Sequence, residues 1–150
     1  RFKGKRNKKI APKSSFYNKP QSPDWVTGAF TIIPRKLFES LDGFDENIWM
    51  YAEELELCYR IKAKGFKVAY QPKPSIIHLA GASSGGSRLG ITQETKILIY
   101  FFKKHKPTWQ LPVVKLFFIL GSILRFIIFG IIGKNETARK AYPEAIKLAI

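Results

Sequence analysis

The chain has 150 residues, which is enough for one domain with a modest hydrophobic core. Its 26 lysines and arginines outnumber 11 acids, and the formal net charge of +15 indicates a polyanionic partner such as nucleic acid, anionic lipid or a diphosphate-bearing substrate. The single cysteine, Cys58, excludes a disulfide framework within one chain, and we recognise no secretory signal at the N-terminus.

Residues 1–23 are rich in lysine, arginine, proline and serine and show no helical or strand period. This composition predicts a solvated basic loop or linker. A nucleic-acid-binding arm is the alternative, but Phe2, Phe16 and Tyr17 are too few and too scattered for base stacking.

The acidic residues are concentrated in one stretch, because eight of the eleven lie within residues 24–60. Residues 26–33 are apolar and rich in β-branched side chains, which predicts a buried strand. Gly28 inside that run indicates close approach by a ligand or by another backbone segment. Pro34 is predicted to open a short helix that Gly43 ends.

A second helix is predicted from about residue 52 to residue 64, followed by a half-buried strand at 66–70. Its first turn holds Glu53, Glu54 and Glu56, whose carboxylates repel one another, so a role beyond stability is indicated. A solvated first turn, where the helix dipole favours acids, is the structural alternative.

The same helix carries two further features. Glu56 and Arg60 are four positions apart with the acid first, which favours a surface ion pair. Cys58 has apolar neighbours, which predicts a reduced thiol buried in the core.

A short apolar run ends at His78 and leads into a Gly/Ser-rich loop over residues 79–88. A single histidine at the end of a strand is more often structural than functional. The small residues of the loop, however, favour a flexible lid or a close backbone approach to phosphate.

The C-terminal part changes character after an amphipathic helix predicted over residues 92–104. Residues 113–132 are almost wholly apolar and long enough to span a bilayer, but Arg125 near their middle costs about 2.5–3.5 kcal/mol on insertion scales. Lys115, Ser122 and Arg125 fall along one stripe, and positive charge flanks both ends of the segment. This pattern favours a helix lying in a membrane interface; a true span and a buried packing helix are the alternatives.

Four groups of residues follow one another in the order of a known family. They are W-x-x-G-A at Trp25, Gly28 and Ala29; Asp42-Gly43-Phe44-Asp45-Glu46; E-E-L-E-L-C-Y-R from Glu53 to Arg60; and H-x-x-G-x-S at His78, Gly81 and Ser83. In this series the chain resembles the acceptor-side half of a family 2 inverting glycosyltransferase of the rhamnosyltransferase-like kind. The resemblance implies an α/β fold class: the C-terminal part of a Rossmann-like GT-A domain over residues 24–110, followed by membrane-associating helices over residues 111–150.

Inverting transfer needs a base that deprotonates the acceptor hydroxyl, and a carboxylate whose pKa is raised by burial or by a like-charged neighbour can serve. The resemblance implies that Glu54 is this base, in a position where the family usually has aspartate, and that Glu53 is a neighbouring catalytic contact. It further implies a set of substrate-binding residues: Trp25, Gly28, Ala29, Arg60, Ser83 and Arg88. His78 is implied as a contact to a divalent metal, Mg²⁺ or Mn²⁺, at the donor diphosphate.

The family's donor-binding half, with its D-x-D metal motif, has no counterpart in these 150 residues, and we expect the chain to be the C-terminal half of a longer enzyme. The expected partners are a nucleotide-sugar donor, a glycan or lipid-linked acceptor and the cytoplasmic face of a membrane, but not nucleic acid. Two alternative classes explain less. A nucleic-acid-binding module accounts for the charge but not the acidic cluster, and a noncatalytic membrane scaffold accounts for the apolar segment but not the motif series.

Overall fold

The computed structural model describes residues 15–76 and 87–150, which we call the motif region and the helical region. The motif region contains a 3₁₀ turn and two short α-helices, and the helical region contains three longer α-helices and one π-helical segment. In chain order these are the turn Ser15–Asn18, α1 Arg35–Glu39, α2 Glu53–Ala63, α3 Ser87–His105, α4 Gln110–Arg125, the π segment Phe126–Ile132 and α5 Glu136–Ala149.

The two helices predicted in the motif region are confirmed. Pro34 is the N-cap of α1, and Gly43 follows the helix in a left-handed conformation with φ of +69°. The helix α2 ends before Gly65, whose φ is +84°, a value that glycine adopts without the steric penalty of a side chain.

A small core holds α1 and α2 together. Its buried members are Leu41, Leu57, Cys58, Ile61 and Val68, and Val26, Ile33, Leu37 and Phe38 pack against them. The expected burial of Cys58 is therefore confirmed. The apolar spacing along α2 determines this arrangement, because the positions that follow one another at three or four residues share one helix face.

The predicted strands are wrong for the residues that the structure describes. Residues 26–33 are irregular, and the 66–70 segment contributes only an isolated antiparallel bridge between Gln21 and Tyr70. A strand is defined by its ladder of hydrogen bonds to a neighbour, and no neighbouring strand lies within the described ranges. Ile32 in this segment is consequently 85% exposed, although its residue type suits a buried strand.

In the helical region α5 packs against α3, α4 and the π segment. It does so through four alanines with at most 6% exposure: Ala138, Ala141, Ala145 and Ala149. Small side chains on one face let helix axes approach closely. The side-chain oxygen of Asn135 caps the start of α5 by accepting a hydrogen bond from the amide of Ala138 at 3.0 Å.

The predicted apolar helix is confirmed as a continuous helical run from Gln110 to Ile132, with a mean hydropathy of 2.2 and 11% of its most apolar window buried. It is long and apolar enough to cross a membrane by length and composition. On the side facing the neighbouring helices, Ser122 is buried and Lys115 Nζ donates to the carbonyl of Ile150 at 3.1 Å. Arg125 is exposed and donates to the carbonyl of Gly121, so the three polar residues do not form one solvent-facing stripe.

Candidate functional site

The start of α2 is set by an unusual backbone. Tyr51 and Ala52 both have left-handed φ values, +70° and +57°, in two successive residues that are not glycine. Each such residue costs of order 1 kcal/mol or more, and strain of this kind is concentrated at functional positions. The turn places Glu53 and Glu54 in the first turn of α2.

Glu54 points into an open, mostly apolar cleft of about 800 Å³. The cleft is lined by residues 26–34, by the apolar face of α2 and by residues 67–71, and Glu54 is its only acidic lining residue in the part of the chain that the structure describes. Gly28 lies against this carboxylate, since a Cβ built on Gly28 would be 3.7 Å from the Cβ of Glu54 and 4.0 Å from its carboxyl carbon. The close approach predicted at Gly28 is therefore made by the Glu54 side chain.

Two carboxylate oxygens at this point are buried without a partner. Oε2 of Glu53 and Oε2 of Glu54 are inaccessible to solvent and accept no hydrogen bond from the described residues. Burial raises the pKa of Glu53, and the neighbouring Glu54 carboxylate adds to that increase. An unsatisfied buried polar atom costs about 1–3 kcal/mol, a cost that a hydrogen-bond donor reaching these oxygens would relieve.

The third acid of α2 has a different environment. Glu56 is 0% exposed, and Arg60 reaches it in a two-pronged contact, with Nε 2.8 Å and Nη2 2.7 Å from Oε2. Lys104 Nζ and His105 Nε2 lie 3.1 and 2.9 Å from the other carboxylate oxygen. Burial would raise the pKa of Glu56, but the hydrogen bonds from Arg60, His105 and Lys104 outweigh it and lower the pKa.

Two sequence expectations are corrected here. The pair of Glu56 and Arg60 is buried instead of lying on the surface, because the core face of α2 extends to Glu56. The charge repulsion expected between Glu56 and the other two acids of α2 is also absent, because the basic side chains around Glu56 compensate its charge. Arg60 donates in addition to the carbonyls of Leu41 and Gly43, at 2.8 Å for the latter, so its guanidinium links α2 to the end of α1.

The same network includes Asp45. This residue belongs to the Asp42–Glu46 motif, and the sequence alone predicts no particular role for it. Asp45 Oδ2 accepts hydrogen bonds from Lys104 at 2.7 Å and from Tyr100 at 2.8 Å, and Oδ1 accepts one from the amide of Asn47. Burial would raise the pKa of Asp45, but these donors together hold it well below its usual range. Lys104 therefore joins two acids, Asp45 and Glu56, which are 59 and 48 residues away in sequence.

Trp25 does not line the cleft of Glu54. It lines a second groove of about 560 Å³ together with Leu55, Tyr59, Phe101 and Lys106, whereas Gly28 and Ala29 line the cleft of Glu54. The structure thus brings Glu54, Gly28 and Ala29 together and leaves Trp25 on a neighbouring face.

The remaining predicted site residues lie near or beyond the limits of the described chain. His78 and Ser83 lie outside the described residues, and Arg88 is placed only by its backbone, in the first turn of α3. Among residues 15–76 and 87–150, no group of three histidine, cysteine, aspartate or glutamate side chains could hold a metal ion.

Sequence comparison finds named rhamnosyltransferases among the relatives of this chain, in agreement with the resemblance that the motif series indicates. It is 35% identical over 74 residues to rhamnosyltransferase WbbL of Escherichia coli K12, an alignment that covers 49% of this chain and 28% of that protein. It is 27% identical over 92 residues to the N-acetylglucosaminyl-diphospho-decaprenol L-rhamnosyltransferase of Mycobacterium tuberculosis, covering 59% of this chain and 30% of that enzyme.

A third relative is named for a role in polysaccharide synthesis. The O-antigen biosynthesis protein RfbC of Myxococcus xanthus is 40% identical over 58 residues, which are 39% of this chain and 4% of that protein. The chain thus spans less than a third of the length of the curated relatives that it matches. No family model and no solved structure matches the chain.

Proposed function

We propose that this chain is the acceptor-side part of an inverting family 2 glycosyltransferase, which moves a sugar from a nucleotide-diphosphate donor to a glycan or lipid-linked acceptor. The observation that carries this proposal is Glu54: a carboxylate with one buried, unpartnered oxygen, at the edge of an open cleft and against the W-x-x-G-A segment. The relatives named as rhamnosyltransferases support a sugar-transfer role. Strands of a donor-binding half would then supply the sheet of a GT-A fold.

In this proposal Glu54 accepts the proton of an acceptor hydroxyl while that oxygen attacks the anomeric carbon of the donor sugar. The bond from the anomeric carbon to the diphosphate oxygen breaks on the opposite face, and the nucleoside diphosphate leaves with the electron pair. Glu53 stands beside the base. His78 would be one contact of a divalent cation, Mg²⁺ or Mn²⁺, and such a cation would supply compensation of the charge on the leaving group.

The test is Glu54→Gln in the complete gene product. We expect kcat to fall by about 100-fold or more, the scale of general base catalysis, with donor affinity little changed. Glu39→Gln is the matched control, because Glu39 is an exposed acid on α1 that does not line the cleft of Glu54. Turnover near the original level in Glu54→Gln, with a loss in Glu53→Gln instead, would move the role of base to Glu53.

We also propose that the helical region attaches the enzyme to the cytoplasmic face of a membrane. Apart from Arg125, the exposed face of the 110–132 helix is apolar: Val113, Leu116, Phe117, Leu120, Ile123, Leu124, Ile127, Ile128 and Ile131 are each at least 41% exposed. Its other face is covered by α5, which carries the charged residues Arg139, Lys140, Glu144 and Lys147. Crossing the bilayer as this unit would take α5 into hydrocarbon, whereas lying in the interface buries only the apolar face.

Membrane fractions of cells that express the complete gene product test this attachment. Release by carbonate or high salt is expected, and Phe117→Glu should shift the protein toward the soluble fraction, because Phe117 is 69% exposed on the apolar face. Phe66→Glu is the matched control, a 52% exposed phenylalanine in the motif region that should not alter partitioning. A protein that is soluble without either treatment contradicts the attachment, and release by detergent alone indicates a span.

A further inference from the structure

A second groove lies where the motif region meets the helical region. Leu55 and Tyr59 of α2 form one side with Trp25, and Phe101 of α3 and Lys106 form the other, around a volume of about 560 Å³. Ligand sites are frequent at such junctions, because two separately folded surfaces leave a concave space between them.

The walls of the groove are aromatic. Tyr59 and Phe101 pack edge to face with their ring centroids 5.1 Å apart, and the Tyr59 hydroxyl donates to the carbonyl of His105 at 3.2 Å. Trp25 is 49% exposed, so much of its indole face is open to a ligand. An aromatic face of this kind offers apolar contact area to the C–H face of a sugar ring.

The groove also contains a cation, Lys106, that has no acidic partner in the part of the chain that the structure describes. Lys106 Nζ lies 4.2 Å from the ring centroid of Tyr59 and 5.6 Å from that of Phe101. No carboxylate pairs with Lys106 among the described residues, whereas Lys62 at the rim is paired with Asp24. A half-buried ammonium group with a free donor is suited to a phosphate oxygen, since charge-assisted hydrogen bonds are the strong ones.

The position of the groove connects it to the proposed membrane face and to the base. Lys106 is followed by Trp109, which is 67% exposed, and then by the apolar helix 110–132. On the other side Gly28, which lines the cleft of Glu54, is three positions after Trp25, a span of at most about 11 Å. The groove is therefore adjacent along the chain to the membrane-facing helix and to the segment that lines the cleft of Glu54.

We infer that this groove binds the diphosphate-linked sugar headgroup of a lipid-linked acceptor, with the diphosphate at Lys106 and a sugar ring on Trp25. The inference rests on the proposed function, because it assigns a binding site to the acceptor of that reaction. It also separates the roles of Trp25 and Glu54, since the former would hold the acceptor and the latter would deprotonate it.

Binding is measured without donor, so that the result is independent of sugar transfer. The complete gene product carries Trp49→Phe and Trp109→Phe, which leaves Trp25 as the only tryptophan of this chain. The fluorescence of Trp25 is then followed on titration with phosphatidylcholine vesicles that contain a prenyl diphosphate sugar, the same prenyl diphosphate without sugar, or phosphatidylglycerol. Tryptophans elsewhere in the gene product are replaced in the same way.

Lys106→Met should weaken binding of the prenyl diphosphate sugar about tenfold, the loss expected for one charge-assisted hydrogen bond, and Lys106→Arg should retain it. Lys103→Met is the matched control, because Lys103 is an exposed lysine of the same stretch, and it should change binding less than twofold. Circular dichroism of each variant checks that the fold is intact.

Three results would overturn the inference. Equal losses in Lys103→Met and Lys106→Met would indicate attraction by general charge. An equal loss of phosphatidylglycerol binding in Lys106→Met would indicate recognition of any lipid phosphate. Equal fluorescence responses to the prenyl diphosphate with and without sugar would show that the sugar does not contact Trp25. Glu54→Gln should bind the headgroup normally while losing turnover, so failure of the proposed base leaves this test unaffected.

Discussion

The motif region and the helical region are stabilised in different ways. The motif region has helices of five and eleven residues, a core of five buried side chains and a buried acid, Glu56, contacted by three basic side chains. The helical region has helices of 19, 16 and 14 residues that pack through a face of alanines on α5. Polar contacts of defined geometry position the first region, and close packing of long helices stabilises the second.

This difference is consistent with the proposed roles of the two regions. The side chain of a catalytic base must be held in a fixed direction. A short helix such as α2 buries too little apolar surface to fix its own orientation. Arg60, Lys104 and His105 supply that orientation by binding Glu56 from two helices. A membrane-facing unit needs only a stable body with one apolar face, and alanine packing is sufficient for that.

The largest effect is expected for Glu56→Gln, which leaves Arg60 and Lys104 near each other without their shared carboxylate. Removing one partner of a buried ion pair costs about 3 kcal/mol or more, measured as the free energy of unfolding in urea. Glu39→Gln is the matched control: Glu39 pairs with Arg35 at 2.6 Å and also four positions apart, but both side chains are more than half exposed. Its expected cost is below about 1 kcal/mol. Similar costs for the two substitutions would show that burial does not distinguish the pairs.

An intermediate effect is expected for Ala141→Leu, which places three extra carbons at a position with 0% exposure between α5 and its neighbours. Overpacking of this kind costs about 1–3 kcal/mol. Lys147→Leu, on the exposed side of the same helix, should change stability by less than about 0.5 kcal/mol. Cys58 should stay as unreactive toward thiol reagents as in the unmodified protein. Faster labelling of Cys58 in Ala141→Leu would mean that packing in the helical region also determines the motif core.

The smallest effect concerns the titration of Glu53, followed by the chemical shift of its carboxyl carbon. Its pKa should lie above the ordinary value of glutamate, because burial is the larger cause and the Glu54 carboxylate adds to it. In Glu54→Gln the pKa should decrease but stay raised, since burial persists. A raised pKa in the folded state stabilises the fold below the unfolded pKa, and this contribution is lost as pH rises through the folded pKa. An unchanged pKa in Glu54→Gln would exclude the coupling between the two acids.

Much of the molecule follows from local sequence alone. Pro34 and Gly43 delimit α1, the spacing of Leu57, Cys58 and Ile61 identifies the core face of α2, and residues 113–132 are recognisable as an apolar helix. These features depend on the backbone freedom of single residues and on a period of 3.6, both of which a sequence displays directly. The family motifs likewise identify the region of the candidate site, because they are short and ordered along the chain.

Only the tertiary structure decided how the three acids of α2 differ. Glu53, Glu54 and Glu56 are equivalent in sequence, yet the first two carry unpartnered buried oxygens and the third is bound by cations from two helices. The partners Lys104 and His105 are 48 and 49 residues away from Glu56, and no local pattern relates side chains at such separations. The strand expected at residues 26–33 shows the same limit, since a strand requires a neighbour that residue type alone does not provide. The sequence thus determines which side chains are charged, whereas the packing of the helices determines which basic side chains compensate which acids.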